Sequence, residues 1–198
     1  VLNGEEAISC MIKRHFFDCG TWGKLYTRRS IRHCRFHEKI YCGEDLLFLY
    51  QLFRTVQKVS CMPDKLYHYV CRKDSITKGG FQKKQYSESL VYEYLCRKLG
   101  KKEPELLPLL EQRILVINVR MAVKAVESGE IEGRKLEGYL KKFQKNIRRH
   151  MSRKALACFK YKKIAIEVLL LSISTRAFWG ILVVYKTLRR YIRSCALS

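Results

Sequence analysis

From residue 139 to the C-terminus the chain carries 15 lysines and arginines and one acid, Glu167. Inside that stretch lies an apolar run, "IAIEVLLLSISTRAFWGILVVY" (164–185). Ahead of it "YLKKFQKNIRRHMSRKALACFKYKK" (139–163) holds ten basic residues and no acid, and "KTLRRYIR" behind it adds four more cations. This pairing constrains the fold more than any other feature. The apolar side chains must leave water, while the cations must stay in water or meet anions. The run is long enough to cross a bilayer. Arg176 stands in its middle, where an arginine costs about 2.5–3.5 kcal/mol on insertion scales, and Glu167 stands near its start. Ser172, Arg176 and Gly180 recur at four-residue spacing, a narrow polar stripe beside a broad apolar face. Cations at both ends suit a helix lying in the interface of an anionic leaflet, with Trp179 and Tyr185 at headgroup level. A true span, and an apolar face packed on the chain's own helices, are the two other outcomes. The expectation is a basic amphipathic helix over 160–198, on a cytoplasmic protein peripheral to the inner face of the cell membrane.

The whole chain carries a formal charge of +22, of which residues 1–138 contribute +8 and the tail +14. Such a balance calls for an anionic partner. Nucleic acid is disfavoured, because no zinc finger, RNA-binding aromatic motif or helix-turn-helix pattern accompanies the charge. The cations concentrate beside an apolar helix, which fits lipid. The hydrophobic fraction, 47%, is that of a globular protein, so disorder is not expected. Nine cysteines include no C-x-x-C pair and read as reduced, mostly buried thiols of a cytosolic protein. The opening "VLNGEEAI" reads as the middle of a longer chain.

Periodicity gives a fold class of α+β, predominantly helical. Asn3 and Glu6 form a capping box ahead of Ile8, Met11, Ile12 and Phe16, predicting a helix that ends near Gly20. "TWGKLYTRRSIRH" is a turn into a short helix, and "EDLLFLYQLFRTV" a helix apolar on nearly all sides. "KVSCMPDKLYHYVCR" reads as two short strands joined at Pro63-Asp64. In the second, Leu66, His68 and Val70 share one face, and Tyr67, Tyr69 and Cys71 the other. "KDSITKGG" is a loop. Beyond Phe81 the pattern is helical only: 86–99, 105–128 and 131–151, stopped by Gly100 and Gly129. The expected division is 1–82, a helical extension over 83–159, and the basic helix of 160–198.

Four stretches invite chemistry. In "GEDLLF" the Glu44-Asp45 pair opens a helix, where negative charge is favoured by about 0.3–1 kcal/mol. A carboxylate at a helix start that faces a cleft is also well placed to act as a general base. "WGKLY" offers Trp22 and Tyr26, suited to the apolar face of a sugar ring or to plain core packing. "YHYVCRKDSIT" sets His68, Arg72 and Ser75 near flexible glycines, as an edge strand and solvated turn or as a phosphate grip. "HCRFHEKIYC" has metal-ligating residue types but no second ligand pair, so no metal site is expected in it.

The succession of these motifs resembles the C-terminal half of bacterial family 2 glycosyltransferases, which build capsular and other exported glycans. The matching stretches are "TWGKLYTRRSIRHCRFHEKIYCGEDLLFLYQLF" and "KLYHYVCRKDSIT", within residues 1–82. The resemblance implies the acceptor-side half of a GT-A-like domain, followed here by a helical C-terminal extension. It implies inverting transfer from a nucleotide-sugar donor to a glycan or lipid-linked acceptor. Asp45 is then the catalytic base, with Glu44, Trp22, His68, Arg72 and Ser75 around the substrates. Members of the family hold Mg²⁺ or Mn²⁺ through a D-x-D motif in the N-terminal half. The four aspartates here, Asp18, Asp45, Asp64 and Asp74, make no D-x-D. No cofactor is therefore expected in this chain, the metal belongs to the complete enzyme, and the N-terminal nucleotide-binding half is expected to be missing. The alternative is a non-catalytic remnant or accessory protein that binds a membrane or partner, and after it a basic nucleic-acid-binding helical protein.

Overall fold

The computed structural model describes residues 1–64, 66–70 and 79–195, with side chains to residue 188. The chain divides into two compact units, one of residues 1–79 and 83–110, the other of 80–82 and 111–198. The described residues are predominantly helical and contain no strand beyond one isolated antiparallel bridge, Leu2 to Val59.

In the first unit α1 (Gly4–Lys13) begins with the expected capping box. Asn3 Oδ1 accepts from the Glu6 N–H at 2.9 Å and Glu6 Oε2 accepts from the Asn3 N–H at 2.7 Å, so two of the orphan donors at this helix start are met. The helix stops earlier than the Gly20 boundary expected from the pattern. Arg14 is left-handed at φ 53° and Phe16 at φ 69°. The chain thereby turns so that Phe17 meets Phe53 edge-on at 5.7 Å. Ala7, Ile8 and Met11 go into the core.

A short helix, α2 (Arg28–Ile31), is capped by Thr27. Next comes α3 (Glu44–Phe53), which buries Leu46, Phe48, Leu49, Tyr50, Leu52 and Phe53. This is the fully apolar helix of the sequence, and α1 and α4 (Ser87–Leu99) pack against it. A methyl group at Gly4 would overlap the Phe53 carbonyl oxygen, so the close approach of α1 to the end of α3 requires that glycine.

The two strands expected on either side of Pro63-Asp64 do not form among residues 58–64 and 66–70. Val59 pairs instead with Leu2, exchanging two N–H···O bonds of 2.8 Å. A two-stranded hairpin is marginal unless further strands or a packed face support it. Among the described residues no further strand is present, and 60–64 and 66–70 stay exposed.

The second unit is built from α5 (Leu107–Ser128), α6 (Gly133–His150), α7 (Arg153–Ala157), α8 (Lys162–Ile173) and α9 (Thr175–Cys195). The first turn of α5 belongs to the other unit. Pro108 sits in that first turn, where a missing N–H costs nothing. Ile114, Val119, Phe143, Ile147, Leu171 and Phe178 are buried. Along α6 the expected apolar side is used: Leu140, Phe143 and Ile147 are buried and Leu136 half-buried.

The tail is not one helix. Ser174, extended at φ −146° and ψ 121°, separates α8 from α9. Its Oγ accepts from the Ala177 N–H at 3.2 Å, which starts α9. The end of α8 is closed from α6. Gln144 donates to the Leu171 carbonyl at 2.9 Å, and Arg148 donates to the carbonyls of Ser172 at 2.7 Å and Ile173 at 3.3 Å. The orphan carbonyls of a helix end are thus met by side chains four residues apart on one face of a neighbour. Because of the break, no helix among the described residues is long and apolar enough to cross a membrane.

Candidate functional site

The head of α3 is held by two segments of the first unit. Gly43 precedes the helix at φ 88°, a left-handed conformation that favours glycine. A Cβ there would also stand 3.3 Å from the Glu88 Cα. Ser87, buried at the start of α4, fastens the same turn. Its Oγ accepts from the N–H groups of Tyr41 (3.1 Å) and Cys42 (2.9 Å) and donates to the Cys42 carbonyl at 3.0 Å. Glu44 and Asp45 follow directly, both half-buried in the first turn of α3.

From the other side comes the turn of residues 20–26. Thr21 Oγ1 donates to Asp45 Oδ1 at 2.8 Å and is its sole donor among the described residues. Tyr26 donates from its hydroxyl to the Thr21 carbonyl at 2.9 Å, and its ring meets Phe48 edge-on at 6.2 Å. Burial first, and then the Asp45 carboxylate, push the Tyr26 phenol up to about 12. Lys24 donates to the Gly20 carbonyl. Its burial draws the ammonium below the usual lysine range, against the opposing pull of Asp18, Cys19 and Asp45. The result is a carboxylate fixed through one oxygen, beside a neutral phenol and a half-buried ammonium.

Trp22 lies over Gly20, where any Cβ would strike the indole, and remains 40% exposed. Its ring is 5.4 Å from that of Tyr69, tilted by 36°. The backbone of Gly23 approaches Tyr67, at 3.4 Å from a Cβ built on the glycine to that of the tyrosine. Residues 67 and 69, one face of the alternation seen in the sequence, therefore meet the 20–23 turn. His68, on the other face, is exposed. Arg72 and Ser75 lie outside the described residues.

No protein-family model, curated protein or solved structure matches the chain. Among the expected site residues, then, Asp45, Glu44 and Trp22 are gathered by one turn and one helix start, and His68 is exposed in the 66–70 segment. Tyr26, offered by the W-G-K-L-Y motif, joins this site, whereas the sequence pattern does not mark Thr21, Tyr69 or Ser87 as site residues. The period-two alternation already put Tyr69 beside Tyr67, but no local pattern marks Ser87, whose partners lie 45 and 46 residues away. Among the described residues no group of three His, Cys, Asp or Glu side chains comes close enough to hold a metal ion. These residues do not fit the Mg²⁺ or Mn²⁺ that the resemblance implies for the complete enzyme.

Proposed function

We propose that this chain is the acceptor-side part of an inverting glycosyltransferase, resembling family 2 enzymes of surface polysaccharide synthesis, with a GT-A-like domain in the complete protein. In this reading Asp45 takes the proton of an acceptor hydroxyl. The acceptor oxygen then bonds to the anomeric carbon of a nucleotide sugar, and the bond from that carbon to the diphosphate breaks, with inversion. Glu44 shares the helix start, and Trp22 with Tyr69 offers an aromatic wall to a sugar ring. Arg72 and Ser75 belong to the same reading through the sequence motif.

The observation that supports it is the hydrogen bond from Thr21 to Asp45, which ties the W-G-K-L-Y turn to the head of the apolar helix. A carboxylate that only started a helix has no need of a donor 24 residues away. One oriented as a base gains from having one oxygen fixed while the other faces an acceptor. The test is transfer of labelled sugar from a panel of nucleotide sugars, using the open reading frame that contains this chain. Asp45→Asn is expected to lower kcat by about 10²–10⁴, the usual share of a general base. Unchanged turnover in that variant removes Asp45 from the reaction.

A further inference from the structure

The tail leaves an unusual surface uncovered. Lys163, eleven residues before Ser174, lies 5.3 Å from the centre of the ring of Tyr185, eleven residues after it, so α8 and α9 run antiparallel as a hairpin. The hairpin packs on α6. Its inner side buries Val168, Leu171 and Phe178. Apolar side chains stay exposed on its other faces as well: Ile166 (62%), Leu169 and Ile173 (74%) line one face of α8, Ile181, Val184 and Leu188 share one face of α9, and Trp179 is exposed on another. Exposed patches of this kind, rimmed by polar groups, mark interaction surfaces.

Charge decides what covers it. The exposed Lys160, Lys162 and Lys163 stand at the open end of the hairpin, and the exposed Arg176 beside the Ser174 elbow. The sequence adds Arg189, Arg190 and Arg193, against one acid, the half-buried Glu167. A second copy of the chain would bring the same +14 to the interface and be repelled. An anionic bilayer supplies hydrocarbon and negative charge together.

We propose that the α8–α9 hairpin is a membrane wedge. Its outer face enters the interfacial layer of an anionic leaflet, the Ser174 elbow keeps both helices in the plane, and lysines and arginines at both ends hold phosphate headgroups. Arg148 and Gln144, by closing α8, are the positioning residues that make the tail a hairpin rather than one long helix. The inference does not depend on the glycosyl-transfer reading, since its residues all lie in the second unit.

The test is sedimentation of the full chain with phosphatidylcholine vesicles, with and without one quarter phosphatidylglycerol, joined to tryptophan emission. The protein is expected to bind the anionic vesicles and not the neutral ones. Its Trp179 emission, read in a Trp22→Phe background, is expected to shift to the blue. The double variant Ile173→Ser/Trp179→Ser changes only exposed side chains and keeps every cation. It is expected to bind about tenfold or more weakly, from the apolar area removed. The single variant Leu169→Ser is expected to show a smaller loss in the same direction. Equal binding of the double variant would mean that charge alone holds the protein, and would overturn the wedge. So would failure to bind anionic vesicles, or a salt-resistant dimer that hides Trp179 in the absence of lipid.

Discussion

At the scale of single residues, the head of α3 carries the most testable chemistry. The Tyr26 phenol is raised from 10.0 to about 12, by burial and by Asp45. A group whose folded pKa lies above its unfolded value lends stability that is full below the unfolded pKa and is lost above it. Tyr26 should therefore cost the fold nothing up to pH 10 and weaken it progressively between pH 10 and about 12. Tyr26→Phe is expected to flatten that alkaline loss, read as urea midpoints across the pH range. Asp45→Asn should lower the Tyr26 value, seen by carbon NMR of ring-labelled tyrosine and assigned with the Phe variant. Ser87 is the second such residue. Ser87→Ala removes three hydrogen bonds from a buried site and leaves the Tyr41 and Cys42 N–H groups without that acceptor. A loss of about 1–3 kcal/mol in urea unfolding is expected. A loss near zero would mean that water replaces the hydroxyl.

At the scale of elements, the pattern located helices well and their ends less well. The capping box of α1 and the apolar faces of α3 and α6 follow from local spacing, which needs no partner to be read. The C-terminus of α1 depends on Phe17 finding Phe53, and spacing within residues 10–20 carries no sign of that contact. Alternation alone predicts strands at Pro63-Asp64, but a strand requires neighbours as well as alternation. The break at Ser174 is of the same kind. Nothing in "LLLSISTRAFW" forbids a continuous helix, since serine and threonine are tolerated there. The break is supported by Gln144 and Arg148 on α6, some 25 residues away. Arg148→Ala is thus expected to cost about 1 kcal/mol, the size of a charge-assisted bond discounted for exposure. Arg149→Ala, on the exposed neighbour, should stay within about 0.5 kcal/mol of the parent. Equal effects of the two would place the closure of α8 elsewhere.

At the scale of the whole molecule, +22 on 198 residues makes the fold sensitive to salt. The salt bridge from Lys141 to Glu137 at 2.7 Å is an exposed pair one turn apart on α6 and contributes little. At a net charge of +22, self-repulsion is the dominant long-range electrostatic effect. Screening it by passing from about 10 mM to 150 mM salt shortens the Debye length from about 30 Å to 8 Å. The melting temperature is expected to rise, by about 2–4 °C for each kcal/mol of repulsion removed. A fall would show that attractive pairs outweigh the repulsion. Local spacing accounts for the helical character, the capping box and the buried α3, and composition for the cations of the last third, because each is recorded in residues a few positions apart. Tertiary structure alone decided that Thr21 holds Asp45, that Ser87 fastens the turn before it, and that the tail folds back at Ser174. Each of these rests on a hydrogen bond between residues more than twenty positions apart, and no local periodicity records which distant partner will complete it.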